Sequence, residues 1–264
     1  TSCGRLETGL KVYVHSAVLP ENSKAAFATE YWMHTVNFWF HFPNAEQMDL
    51  LNYYYGCQKY SDAWWKINRA IAQNMKENRI NVLFVRTLDL LLDGGSWKDD
   101  SGKWNFCWEL FDEWTAFFEE YADIKLFAGY HLVVQTEGKR IYLLDRIDGK
   151  TQVGMAGIGS EKAEDWMEQF LTALYEHLGE CGYRDRWMQH VEDEPGDAES
   201  WNYGREMVRK YMPGILCMDA VYIQEPTGGM QGQMDLWIPR VDTYECNREF
   251  YDYRLSQGEQ RWTY

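Results

Sequence analysis

A chain of 264 residues with a formal net charge of −15 suits one main domain, near the ~250 residues common in single barrels. It disfavours nucleic acid and anionic membrane surfaces as partners and leaves neutral or cationic ligands. Its 13 Trp, 18 Tyr and 12 Phe must mostly fill a core, with a few free to stack on ligand rings such as sugars.

The first stretch, residues 1–25, holds a strand-like run at 10–14 and then Leu19-Pro20-Glu21-Asn22-Ser23, which has the composition of a turn or linker. It is expected to be the tail of an upstream region, with one barrel domain over 26–264. Residues 36–41 predict the first barrel strand. Ser61 is a good N-cap for a helix bearing Trp64, Asn68, Ile71 and Met75 at three- and four-residue steps. A buried strand over 80–87 should run through the leucines of 88–92 into a loop opened by Gly94-Gly95.

Residues 96–108 predict a hairpin around Asp100-Ser101-Gly102. Leu110, Phe111, Trp114, Phe117, Phe118 and Tyr121 make the cleanest amphipathic stripe, and 124–131 is again a strand. A long excursion over 135–160 has its expected hairpin tip at residues 136–139. Ser160 caps a helix with Trp166, Phe170, Leu171, Leu174 and Leu178, ending near Gly182. After the strand that ends at His190, Asp197 caps a helix with Trp201, Gly204, Val208 and Tyr211. Strands over 215–220 and 234–238 follow too closely for a full helix between them, then a helix over 247–257 and a strand from Arg261.

Strand followed by helix, about seven times, argues for a parallel sheet covered by helices. The expected class is α/β, a (β/α)8 TIM-type barrel incomplete at its C-terminal end, with a doubly wound open sheet as the alternative. No Gly-x-Gly-x-x-Gly or Gly-Lys-Ser/Thr loop follows a strand, and no cofactor is expected. Cys3, Cys57, Cys107, Cys181, Cys217 and Cys246 form no Cys-x-x-Cys pair and no zinc-type His spacing, so they read as free and mostly buried. Their even number also permits disulfides. No membrane span or targeting signal is read in the chain, and location and oligomeric state are left open.

The most unusual stretch is His190-Val191-Glu192-Asp193-Glu194-Pro195. Three adjacent carboxylates repel one another, and partial desolvation raises a carboxyl pKa, which suits a general acid. If Val191 packs outward, His190 and Glu192 face the interior, and Asp193 and Glu194 fall just past the strand end. Pro195 then fixes Glu194 in an extended or turn conformation. The alternative is an acidic approach to a helix N-terminus, favoured by the dipole alone. Other polar groups expected at strand ends are His41, Arg86, Asp93, Tyr130, His131, Asp219 and Arg240. Trp237, Tyr130 and Trp39 are candidate stacking platforms, and His131 and His190 candidate donors to sugar hydroxyls. Each has a core or loop-packing role as its alternative.

This stretch, followed by Asp235-Leu236-Trp237-Ile238-Pro239 and by an aromatic helix running into Gly258-Glu259-Gln260-Arg261-Trp262-Thr263-Tyr264, resembles the catalytic barrel of glycoside hydrolase family 123 and its bacterial relatives. The resemblance implies a β-N-acetylgalactosaminidase acting on a glycan or glycoconjugate, with Glu194 as general acid/base and Asp193 stabilising the substrate's acetamido group. Such substrate-assisted retention needs one acid and one partner for the 2-acetamido group, so neighbouring carboxylates can serve it. Glu192, His131, His190, Tyr130, Trp39, Asp219, Trp237 and Arg240 complete the expected binding set. Two other readings stand beside it. One is a metal-dependent sugar hydrolase or isomerase gathering a cation on His190, Glu192, Asp219 and Asp235, though no His-x-His spacing supports it. The other is a non-catalytic glycan-binding barrel.

Overall fold

Seven parallel strands, each laid beside the previous one in chain order, form the main sheet of the computed structural model, which describes residues 9, 11–13, 16, 18–32, 50–134, 139–222 and 229–263. In chain order the elements are β1 (Glu30–Tyr31), α1 (Leu50–Tyr55), α2 (Asp62–Glu77), β2 (Val82–Val85), α3 (Thr87–Asp93), β3 (Trp97–Lys98), β4 (Trp104–Asn105), α4 (Glu109–Ala122) and β5 (Leu126–Gly129). There follow β6 (Val133–Val134), β7 (Arg140–Ile147), β8 (Lys150–Gly157), α5 (Glu161–Glu180), β9 (Trp187–His190), α6 (Ala198–Tyr211), β10 (Leu216–Val221), β11 (Leu236–Pro239), α7 (Val241–Cys246), α8 (Arg248–Ser256) and β12 (Gln260–Arg261). The sheet order is β1-β2-β5-β9-β10-β11-β12.

The expected α/β class with a parallel sheet holds. Among the described residues no ladder joins β1 to β12, so the sheet is a curled half-barrel of seven strands. It is curled enough that Glu30 and Tyr31 of β1 and Trp262 just after β12 line one cavity. No described helix is long and apolar enough to cross a membrane.

The helices sit where capping and periodicity place them. Ser61 accepts from the Trp64 amide, Ser160 from Ala163, and Asp197 from Glu199 and Ser200, each satisfying amides that a helix start leaves open. Their apolar faces cover the sheet: Trp64 and Met75 of α2, Phe111, Trp114 and Phe118 of α4, Trp166, Phe170, Leu171, Leu174 and Leu178 of α5, and Trp201 and Val208 of α6 are all buried. The close-set β10 and β11 pair directly.

Two expectations are corrected. Residues 88–92 do not lead straight into a loop; they form α3, apolar on nearly all sides because it is buried all round, with a buried Arg86–Asp89 ion pair at its start. Of the strand-like run at 10–14, residues 11–13 lie in no strand, and Val12 and Tyr13 are exposed. The expected strand at 36–41, with Trp39 and His41, lies outside the described residues; the first described strand is β1. Residues near 20–25 dock on the barrel: buried Asn22 donates through Nδ2 to the Ile80 and Ala122 carbonyls at 2.9 and 3.0 Å.

The 135–160 excursion is part of a three-stranded antiparallel sheet, β6-β7-β8. Its expected tip falls mainly outside the described residues, and the tight turn between β7 and β8 is Asp148-Gly149, both at positive φ (50° and 77°), as a two-residue type I′ hairpin demands. Of the cysteines described, all five are free: Cys57 and Cys217 are buried, Cys107 and Cys181 half-buried and Cys246 exposed.

Candidate active site

β9 delivers the acidic stretch to the C-terminal end of the sheet, where barrel chemistry gathers. Val191 packs outward on α6 so closely that a Cβ on Gly204 would lie 2.6 Å from its Cγ1. Alternation then turns His190 inward. Beyond it the chain bends, and Glu194 sits at φ 46°, in the left-handed region. Of the two conformations expected before Pro195, the extended one is therefore excluded. A non-glycine residue in this region stores backbone strain that its surroundings must hold, a feature that concentrates at functional sites.

Asp219 of β10, fully buried, organises this bend. Its Oδ2 accepts the Val191 and Glu192 amides, each at 2.9 Å, and the Trp201 indole N–H at 2.5 Å. Its Oδ1 lies 3.0 Å from His190 Nδ1 and 3.6 Å from His131 Nε2. The other nitrogen of His190, Nε2, faces Glu30 Oε1 at 3.2 Å. Burial pushes the His190 ring pKa down, but Glu30 and Asp219 outweigh it and hold it up to about 10. His190 is thus an imidazolium clamped between two carboxylates.

The cavity above this network has a volume of about 490 Å³, of the size that holds a small organic ligand. Asp193, Glu194 and His190 line it together with Glu30, Trp32 and Trp262. Burial, with Asp219 and Glu194 nearby, pushes the Asp193 carboxyl up to about 7, His190 opposing. Glu192 is only 4 % exposed and does not line the cavity. Burial and the charges of Asp219, Asp197 and Asp193 push it up to about 8, and its Oε2 has no hydrogen-bond partner among the described residues.

The structure thus brings Asp193, Glu194, His190, His131 and Asp219 together. Tyr130 is buried beside them, edge-on to His131 with the Arg86 guanidinium over its ring. Trp237 is not at the cavity: fully buried, it packs on Phe250 and Tyr251 and donates to Glu259 Oε2 at 2.6 Å. Arg240 makes two hydrogen bonds to Asp242 away from the cavity. Asp93 binds Lys59 and Tyr60, also away from it. Trp39 lies outside the described residues.

Sequence reasoning missed Glu30, Trp32 and Trp262. Trp32 packs edge-on against His131 and His190 and flat on Phe84. Each missed residue stands on or just beyond a two-residue strand, too short for any periodic signal. Trp262 alone carried a cue, in the tail motif quoted for the family resemblance.

The donors of the metal reading do not converge. Asp235 lies at the start of β11, its carboxylate held by Arg209 and the Cys217 amide. His131, His190 and Asp219 do bring donor atoms within 4.8 Å of one another. Yet Asp219 Oδ2 already accepts three N–H donors, and His190 bridges Asp219 and Glu30 through both ring nitrogens, so this trio fits an ion-pair network better than a cation.

A family model described as "Glycoside hydrolase 123, catalytic domain" matches residues 46–264. No curated protein matches the chain. Among solved structures, a family 123 glycoside hydrolase from Clostridium perfringens, studied for glycolipid glycan hydrolysis, superposes with a TM-score of 0.68 at 15 % identity, over 94 % of this chain and 44 % of that one. The present chain therefore spans less than half the length of that enzyme. The family match extends over most of the sequence, including the whole acidic stretch and the tail that closes the cavity, and the chain belongs to glycoside hydrolase family 123 through its catalytic domain.

Proposed function

We propose that this domain hydrolyses β-linked N-acetylhexosaminides, N-acetylgalactosaminides foremost, with retention and with the substrate's own 2-acetamido group as nucleophile. The observation that carries the reading is the adjacent pair Asp193 and Glu194 lining the same cavity as Trp32 and Trp262. Two neighbouring carboxyls on one bend are poorly placed to flank a sugar from opposite faces, but one can protonate the leaving oxygen while the next grips the acetamido N–H.

In the first step the acetamido carbonyl oxygen attacks C1, the C1–O bond to the aglycone breaks, and Glu194 gives its proton to the departing oxygen. An oxazolinium forms, whose N–H faces Asp193. In the second step Glu194 takes a proton from water as the water oxygen bonds to C1, and the acetamido group is restored.

Asp193, held near 7 by burial and its neighbours, is drawn toward the carboxylate form as positive charge develops beside it. That gain is larger in the transition state than in the ground state, which is the condition for catalysis. His190, fixed by Glu30 and Asp219, keeps a positive charge under the pair and does not act as the acid.

The test is hydrolysis of a chromogenic β-N-acetylgalactosaminide and of the plain β-galactoside by the full-length protein. Glu194→Gln should lower kcat by about 100-fold or more and keep substrate binding. Asp193→Asn should lower kcat by a similar factor. The parent should leave the plain galactoside essentially uncleaved and should be inhibited by a thiazoline analogue of the oxazoline. Efficient cleavage of the plain galactoside would refute acetamido participation. Turnover that survives in Glu194→Gln would remove that residue as the acid.

A further inference from the structure

Outside the cavity, a second set of donor atoms meets where the start of α4 lies against the end of α5. Asp112 projects from the first turn of α4, His177 from the last turn of α5, and Cys181 is the residue that closes α5. His177 Nε2 lies 2.7 Å from Asp112 Oδ1 and 3.5 Å from Cys181 Sγ, and the sulphur lies 3.6 Å from the same Asp112 oxygen. From these distances we infer that Asp112, His177 and Cys181 form a binding site for one divalent cation of the Zn2+ class.

Tetrahedral zinc holds sulphur at about 2.3 Å and nitrogen or oxygen at about 2.0–2.2 Å, so the edges of its coordination shell run to about 3.4–3.6 Å. Two of the three separations here already have that length. The third must open by about 0.7 Å to reach such an edge, and the Asp112 side chain, 49 % exposed, is free to swing.

The histidine is prepared for the role. Trp108 stacks flat on its ring, with centroids 4.4 Å apart and planes 12° from parallel, and Phe111 meets it edge-on. Glu180 Oε2 faces the opposite nitrogen, Nδ1, at 3.5 Å. In the metal-free site the 2.7 Å contact is an Nε2–H donated to Asp112; a cation takes the place of that proton, and with the ring proton moved to Nδ1, toward Glu180, the histidine adopts the carboxylate–histidine–metal arrangement that orients a ligand ring. A nucleophilic thiol is the poorer reading, because a carboxylate oxygen at 3.6 Å disfavours the thiolate until a cation neutralises it. When the cation binds, the thiol proton leaves to solvent and the imidazole proton moves from Nε2 to Nδ1, one proton released per ion. Three protein ligands leave a fourth position for water on the exposed side. The ion would pin the start of α4 to the end of α5.

The experiment titrates chelator-stripped full-length protein with Co2+ and then with Zn2+. One equivalent of Co2+ should give the intense visible bands of a tetrahedral site and a near-ultraviolet thiolate-to-metal band, both abolished by Zn2+. Calorimetry in buffers of different protonation enthalpy should count one proton released. Cys181→Ala and Cys181→Ser should each lose the thiolate band, and Glu180→Gln should weaken Zn2+ binding about tenfold through its hold on His177. A folded parent that takes up no Co2+, or a thiolate band that persists in both Cys181 variants, would overturn the site.

Discussion

Glu192 shows how a single side chain stores the electrostatic cost of the site. Burial and three neighbouring carboxylates raise its pKa from 4.5 to about 8, so the folded protein holds this proton more tightly than the unfolded chain does. The associated stability is complete below pH 4.5 and is lost as pH rises through 8. Glu192→Gln cannot ionise, so its melting temperature relative to the parent should climb across that window and level off above it. A gain of about 1 kcal/mol would appear as about 2–4 °C in a domain of this size. Thermal melts at pH 5, 6.5 and 8 check this; a pH-independent difference would assign the charge elsewhere. The run of carboxylates was legible in the sequence because three acids in a row beside an apolar strand are costly. Asp219 and Glu30, which make the arrangement tolerable, were harder to read: Asp219 stood out as a strand-end acid for substrate or metal and not as the organiser of the bend, and Glu30 not at all, because their partners are 18 to 160 positions away.

At the scale of elements, the contact of α6 with the end of β9 sets where the acids emerge. A Cβ on Gly204 would come within 2.6 Å of Val191 Cγ1 and 3.0 Å of Val133 Cγ2, and both neighbours are buried branched side chains with little room to yield. Gly204→Ala should therefore destabilise the fold by about 1–3 kcal/mol and lower hydrolysis more than stability explains, since Val191 is two residues from Asp193. Denaturant unfolding and kcat/KM, measured together, test the coupling; a variant as stable and active as the parent would show the contact to be slack. The sequence revealed α2, α5 and α6 through their caps and α4 through its apolar stripe, signals local to each helix. It misled at α3, whose all-round burial erases the 3.6-residue pattern. The Asp148-Gly149 turn was legible and passed over, while the tip expected at 136–139 falls between β6 and β7, which do pair antiparallel. The His177-x-x-x-Cys181 pair lay in view at helical spacing, but Asp112, 65 positions away, carries no sequence link to it.

For the molecule as a whole, curling of the sheet matters more than its closure, because it sets residues near Glu30 and Trp262, more than 200 positions apart, on one cavity. Strand–helix alternation made the sequential strand order and a barrel-like curl legible; how far the sheet closes was not, since that depends on how packed helices twist it. The other global property is the net charge of −15, which gives the chain as a whole a negative field. A neutral hexosaminide does not feel that field at long range. A sialylated or sulfated one is repelled until salt screens it, with a Debye length falling from about 30 Å at 0.01 M to about 8 Å at 0.15 M. Raising salt over this range should leave kcat/KM for a neutral N-acetylgalactosaminide nearly constant and increase it several-fold for an anionic counterpart, chiefly through KM. Equal salt response for both substrates would mean that the acidic surface lies away from the approach to the site. A fall for the anionic substrate would instead reveal a local cationic patch, such as the His190 imidazolium, reaching the ligand strongly enough to outweigh the field of the whole chain.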